Sequence, residues 1–194
     1  IGVDASDSFD IKLQKTDVSS LGVGNSGTSS SSATLTSGRI TVIGTTNIAT
    51  SDVKINGQDW TASLFDVDAL VIDGTSKNLS GALASNSLQA TGIAQKINEN
   101  SGVHGVTATA FNEITTSTSN YSGALVTING TIITASGSKE IFIDKVNDTV
   151  VGVTAELLAD GKIKFSNNDG AAFEFGGDAA AVLGVAADMY GGFV

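Results

Sequence analysis

Two stretches of this sequence share one short phrase. "SDVKINGQDW" (51–60) and "ALVTINGTII" (124–133) each set Asn-Gly between alternating apolar residues. Asn-Gly suits a type I′ turn, where both central residues take positive φ. Each phrase therefore predicts a tight β-hairpin whose register follows from its two-residue loop. With Asn56-Gly57 in the loop, Ile55 faces Gln58, Lys54 faces Asp59 and Val53 faces Trp60. Val53, Ile55 and Trp60 then share the core face, and Lys54 and Asp59 form a solvated cross-strand pair.

The repetition extends beyond the hairpins. "KIN" (96–98) and "KVN" (145–147) follow in the same order, and then "GVTA" (105–108 and 152–155). Ala90, Ile93, Ala94 and Ile97 fall on one helical face, which predicts a helix with Ser87 as N-cap and "NENSG" at its end. "KEIFIDKVND" (139–148) occupies the same place in the second copy, although its β-branched residues weaken helix propensity. Strands are expected at 105–112 and 152–158, then an Asp160-Gly161 turn, a return strand "KIKFS" and a short helix "DAAAVLG" with Asp178 as N-cap. The first copy carries extra residues, mainly 65–87, with an Asp73-Gly74 turn.

Ahead of the repeats, "FDIKLQK" (9–15) and "RITVIG" (39–44) have strand periodicity. The Ser/Gly-rich tract 25–38 between them reads as a mobile surface loop. Two copies are too few for a solenoid. The expected fold is β-rich α+β, with two small modules of antiparallel hairpins, each covered by a short helix. Residues 1–24 form a connecting strand or hairpin segment, 25–118 the first module and 119–194 the second.

Composition narrows the function classes. Twenty Asp and Glu stand against ten Lys and Arg, a net charge of -10, which disfavours nucleic acid and anionic membranes as partners. Cysteine is absent, and with it disulfides, thiolate metal sites and Cys nucleophiles. No apolar run reaches the roughly 20 residues of a membrane span. "IGVDASDSFD" lacks the basic start and apolar centre of a signal peptide, so export would use a signal elsewhere or none.

His104 is the only histidine, no serine sits in a G-x-S-x-G elbow, and "SGVHGV" reads as a surface loop. In "FDVDALVIDG", Asp66, Asp68 and Asp73 miss the calcium-loop pattern because Leu70 stands at the third ligand position. Neither a catalytic, a metal nor a cofactor site is expected. Trp60 is assigned to the core. The motif residues Ile55, Asn56, Gly57, Ile128, Asn129 and Gly130 are structural. Two Ser/Thr tracts offer O-glycosylation candidates: Thr28, Ser29, Ser30, Ser31 and Ser32, and Thr115, Thr116, Ser117, Thr118 and Ser119. Asn78, Asn120, Asn129 and Asn147 begin N-x-[ST] sequons, matches that come cheaply in a chain so rich in Asn, Ser and Thr.

The ordered set ING, "IN" or "VN" in a helix, and "GVTA" resembles the short repeat of bacterial flagellins and their hook-associated relatives. "IGVDASDSFDIKLQKTDVSSLGV" looks like the hairpin by which flagellins leave their rod region, and "DAAAVLGV" like a closing phrase of their outer modules. The resemblance implies a structural protein of the extracellular flagellar filament, serving motility and presenting an antigenic surface. The long heptad-bearing terminal helices of flagellins are not in this sequence. The chain would then be the central variable region, unable to polymerise alone and largely without the rod-region receptor epitope. Its implied partners are other flagellin subunits, through rod segments not in this chain, host antibodies and glycosylation enzymes. Alternatives are a hook-associated junction or cap protein and a module of a secreted adhesin. Absence of cysteine and proline suits a chain exported unfolded and refolded outside the cell, without oxidative cross-links or slow isomerisation.

Overall fold

The computed structural model describes residues 34–40, 42–43, 46–82, 86–116 and 122–194. The chain divides into Ile1–Leu35 and Thr36–Val194. Only Thr34 and Leu35 of the first part are described, both exposed. The strand expected at 9–15 and most of the polar tract 25–38 lie outside the described residues.

Thr36–Val194 is a β-rich α+β unit. Its chain order begins with β1 (Val42–Ile43), then β2 (Lys54–Ile55) and β3 (Gln58–Asp59), which form the first ING hairpin. Asn56 and Gly57 have φ of 51° and 77°, the left-handed geometry a type I′ turn demands. Lys54 pairs with Asp59 in register, and their side chains form the expected ion pair on the solvent side. Trp60 is buried and Ile55 packs on the same core, but Val53 is exposed. Val53 O still accepts from Trp60 N–H at 3.3 Å, so the backbone pairing holds while the Val53 side chain remains in solvent.

β4 (Leu70–Ile72) and β5 (Thr75–Lys77) form a second hairpin through Asp73-Gly74, and β6 (Gly81–Ala82) pairs with β1. The helix α1 (Gln89–Glu99) follows, then the single turn α2 (Ser101–His104). Leu88, not Ser87, occupies the α1 N-cap position, without a side-chain cap bond. Ser87 instead lends its carbonyl to Ala172 N–H. Trp60, Phe65, Val67, Leu70, Ile72 and Leu79 form the core of this half, with Ile93 and Ile97 of α1 packed against it.

The strand expected over 105–112 forms only at its far end. Residues 105–110 have no strand pairing, and β7 (Asn112–Thr115) is the next element. Among the described residues the first copy has no return strand beside its "GVTA", so those residues find no ladder.

The second half runs β8 (Ser122–Ile128), β9 (Thr131–Ser136), α3 (Lys139–Thr149), β10 (Thr154–Leu157), β11 (Ile163–Asn167), β12 (Phe173–Gly177), α4 (Ala179–Leu183) and β13 (Met189–Tyr190). Asn129 and Gly130 close the β8–β9 hairpin with φ of 49° and 78°. The helix over 139–149 forms despite its β-branched residues. Ser138 caps it, accepting from Ile141 N–H, and Phe142, Ile143 and Val146 bury one face. Asp178 stands before α4, but its carboxylate accepts from Leu125 N–H across the sheet rather than capping the helix.

Two antiparallel sheets result, in strand orders β13-β12-β8-β9 and β10-β11-β7. Their inner faces share one core with α3 and α4, and Phe165 and Phe175 meet edge to face at 5.4 Å within it. β7 lies at the end of the first module in sequence yet completes the second repeat's sheet by pairing with β11.

Candidate functional site

The K-x-N triplet of each repeat is a helical brace. Successive helical residues turn by about 100°, so the first and third of a triplet leave on opposite flanks and the second points between them. In α3, Val146 enters the core with no exposed surface. On one flank, Lys145 Nζ donates to Thr134 O at 3.2 Å and Ser136 Oγ at 3.1 Å. On the other, Asn147 Nδ2 donates to Ala155 O at 3.0 Å, and Ala155 N–H donates to Asn147 Oδ1 at 2.7 Å.

These contacts fall on sheet edges. Antiparallel alternation turns the backbone groups of Thr134 away from β8 and those of Ala155 away from β11. Lys145 therefore covers part of the β9 edge. Asn147 supplies Ala155 with both bonds of a missing strand partner. Sheet edges left bare are templates for unwanted pairing, and one helix here protects two of them.

The first repeat builds the same brace. Lys96 Nζ donates to Ser63 Oγ at 2.8 Å, and Asn98 exchanges two bonds of 2.8 Å with the backbone of Ala108. Ser63 and Ser136 each close an identical triplet, Thr61-Ala62-Ser63 and Thr134-Ala135-Ser136, six residues after the loop glycine. That further element of the repeat is legible in the sequence, and it supplies the lysine's acceptor in both copies.

The two braces differ in charge. The Lys96 side chain is 6% exposed and pairs with Glu99 at 2.8 Å. Glu99 Oε2 also accepts from Ser63 Oγ at 2.7 Å and Thr61 Oγ1 at 3.0 Å. Burial opposes the charged form of Glu99. Hydrogen bonds from Lys96, Ser63 and Thr61, with the lysine's charge, outweigh it and hold the carboxyl below the usual Glu range. Serine and lysine in contact are also the components of a nucleophile–base pair. Here the lysine N–H groups point at Ser63 and Glu99, an arrangement that anchors the ammonium.

The turn asparagines have diverged. Asn56 is exposed, and its Nδ2 donates to His104 O at 2.8 Å. Asn129 is tied to β12 twice: its N–H donates to Glu174 O at 2.9 Å, and its Oδ1 accepts from Glu174 N–H at 2.8 Å. His104, expected at the surface, is 3% exposed. Its Nδ1 accepts from Val106 N–H at 3.1 Å and its Nε2 lies 3.0 Å from Ile97 O, so the ring links α1 to the chain leaving α2.

A third device joins the ends of the unit. Ser37 N–H donates to Val194 O and Ile40 N–H to Gly192 O, while Phe111 and Phe193 exchange backbone bonds. Arg39, the only arginine in the chain, donates to Asn112 Oδ1 at 2.7 Å, Gly191 O at 2.6 Å and Glu113 O at 2.7 Å. Its guanidinium lies 4.5 Å from the centre of the Phe193 ring. Burial lowers its pKa from the ordinary value, and Tyr190 and Glu113 act in the opposite sense. Gly192 fits only as glycine, because a Cβ there would stand 2.4 Å from Gly170 O.

Of the O-glycosylation candidates, Thr28, Ser29, Ser30, Ser31, Ser32, Ser117, Thr118 and Ser119 lie outside the described residues. Thr115 is exposed on β7. Thr116 is buried and its Oγ1 accepts from Ile163 N–H at 2.9 Å, which closes that hydroxyl to an enzyme acting on the folded chain. Among the sequon asparagines, Asn120 is not described, and Asn129 and Asn147 are engaged as above. Asn78 Oδ1 accepts from Ser80 N–H and Ser80 Oγ. An open groove of about 480 Å³ runs beside the C-terminal end of α3, lined by Asn147, Asp148, Val151, Thr154, Ser166 and Asn168 among others. The sequence matches no protein-family model, and no curated protein matches it.

Proposed function

We propose that this chain is a structural module, the surface-exposed outer region of a flagellin subunit in the bacterial flagellar filament. It gives the filament outer bulk and an antigenic face, and its exposed hydroxyls offer sites to glycosylation enzymes. Neighbouring subunits engage it through rod segments that this sequence does not contain.

The observation that supports the reading is the doubled brace. In both copies the lysine and asparagine of the ordered motif hold the helix on two flanks, the asparagine to backbone and the lysine to a serine hydroxyl. Residues repeated in that pattern serve shape. The adjoining ends of the unit, clasped by Arg39, suit a domain carried as an insertion on a longer protein, where the chain must arrive and leave at one place.

Immunogold electron microscopy of source cells, with antibody raised against this chain, tests the proposal. Label along whole filaments is expected. Label only at a filament's base or tip would assign the chain to a hook-associated protein. Label on the cell body alone would refute a flagellar role and favour an adhesin.

A further inference from the structure

We propose that Asn56, and not Asn129, is a self-modifying site, whose side-chain amide is lost in the folded protein by attack of the Gly57 backbone nitrogen. The two sites have the same local sequence, Ile-Asn-Gly, and the same turn geometry. Glycine leaves the attacking nitrogen unshielded in both. Their difference lies in what restrains the asparagine.

The reaction needs only water and base. Hydroxide removes the Gly57 N–H proton, and the nitrogen attacks Asn56 Cγ. A bond forms between Gly57 N and Cγ, the Cγ–Nδ2 bond breaks, and ammonia leaves, carrying a proton from water. The five-membered succinimide then takes up one water at either carbonyl. Opening one side yields aspartate, and opening the other yields an isoaspartyl residue with the backbone routed through Cγ. No electron acceptor or donor is involved.

Attack requires the asparagine to leave its native turn geometry, so the rate follows the ease of local opening. The hairpin around Asn56 has two-residue strands and stands as a separate two-stranded sheet. Hairpins of that kind are marginal by themselves. One side-chain bond, to His104 O, secures the amide, and the residue is exposed. Asn129 closes strands of seven and six residues inside a four-stranded sheet. Its side-chain oxygen is held by Glu174 N–H and its own N–H by Glu174 O. Cγ of Asn129 is thereby fixed, and the turn cannot open without breaking into β12.

Conversion has a structural consequence. Asn56 donates to the His104 carbonyl oxygen, whereas a carboxylate there has no proton to give. The product turns an attraction into a repulsion and removes the turn's tie to α2, leaving the hairpin held there by Asn100 Nδ2 donating to Asp59 O at 2.5 Å. The chemistry marks time since folding on one repeat only.

The test is incubation of the folded protein at mildly alkaline pH, with peptide mapping by mass spectrometry and isoaspartate detection. A parallel sample is unfolded in urea. In the folded sample Asn56 is expected to convert about tenfold faster than Asn129 or more, the difference an unequal opening equilibrium produces. In urea the two rates should converge, because the flanking sequences share Ile-Asn-Gly. Equal rates in the folded protein would overturn the proposal, as would faster conversion of Asn129. So would an Asn56 that stays intact when folded while converting in urea.

Discussion

In both repeats a helical lysine reaches the serine six residues beyond a hairpin glycine, yet the two lysines end in different surroundings. Lys96 is buried against Glu99, while Lys145 is half-exposed and bonds only neutral oxygens. Among the described residues, nineteen buried apolar side chains form one core under the two large sheets, whereas those packed about α1 fall into two smaller clusters of six and three. The second repeat can rely on packing because two sheets converge on α3. The first has strands of two and three residues around its hairpins and, among the described residues, no return strand beside its "GVTA". Its polar cluster of Thr61, Ser63, Lys96 and Glu99 takes the place that strand pairing and apolar burial fill elsewhere. A buried ion pair is costly to break, whatever its net contribution when intact. The first repeat is therefore the more fragile to polar substitution.

The lysines give the largest expected contrast. Lys96→Met leaves Glu99 without its cation and should cost about 2 kcal/mol, less than a fully buried pair because Glu99 is partly solvated. Lys145→Met should cost about 0.5 kcal/mol, because its bonds are partly solvated and its loss strands no carboxylate. Trp60, the chain's single tryptophan, lies in the first core, so urea unfolding followed by its fluorescence reads the difference. Equal shifts would dissolve the distinction between the repeats.

Valine at the loop glycines should cost about 1–2 kcal/mol, the penalty of a β-branched residue at positive φ. Gly57→Val should free hairpin 1 locally, seen as faster hydrogen exchange at Gln58 and Trp60. Gly130→Val should lower the melting temperature of the whole unit, because its hairpin belongs to the main sheet. If Gly57→Val leaves melting and exchange unchanged, the first turn is not of type I′.

Asn98→Ala and Asn147→Ala each remove two bonds to one alanine's backbone and should each cost about 1 kcal/mol. Similar costs, measured by thermal unfolding, would show that the brace is shared even where the surrounding sheets are not. A much larger effect at Asn147 would mean that capping matters only where a real strand edge exists.

Acid gives the smallest effect. The Glu99 carboxyl titrates below its unfolded value, so its contribution is complete above the unfolded pKa of about 4.3 and fades as pH falls through the folded value. Trp60 fluorescence should then report loosening at a higher pH in wild type than in Glu99→Gln, which has no carboxylate to protonate. Coincident acid profiles would remove Glu99 from the account of the first repeat.

Much of this architecture is legible in the chain itself. The turns at Asn56-Gly57, Asp73-Gly74 and Asn129-Gly130 follow from local stereochemistry, and the Lys54–Asp59 pair follows from the loop length. The helix at 89–99 follows from apolar spacing, and the one at 139–149 from its matching place in the repeat. The Thr-Ala-Ser triplets were equally open to reading, since they repeat at the same offset from each glycine. What was not legible depends on partners distant in sequence. Identical "GVTA" phrases stay without pairing in one copy and lead into β10, through Thr154 and Ala155, in the other, because among the described residues only the second has β11 beside it. His104 looked like a loop residue and is buried because α1 and the chain beyond α2 close over its ring.

The sequence by itself determined where the chain turns, which stretches coil into helix and which short phrases recur, because those depend on φ preferences and on neighbours within a few residues. The tertiary structure decided that β7 leaves the first repeat to complete the second repeat's sheet, that Arg39 clasps the two ends, and that one lysine has a carboxylate partner where its counterpart bonds a carbonyl and a hydroxyl. Those outcomes rest on pairing and burial between residues scores of positions apart, where hydrogen-bond satisfaction and packing are settled by the whole fold.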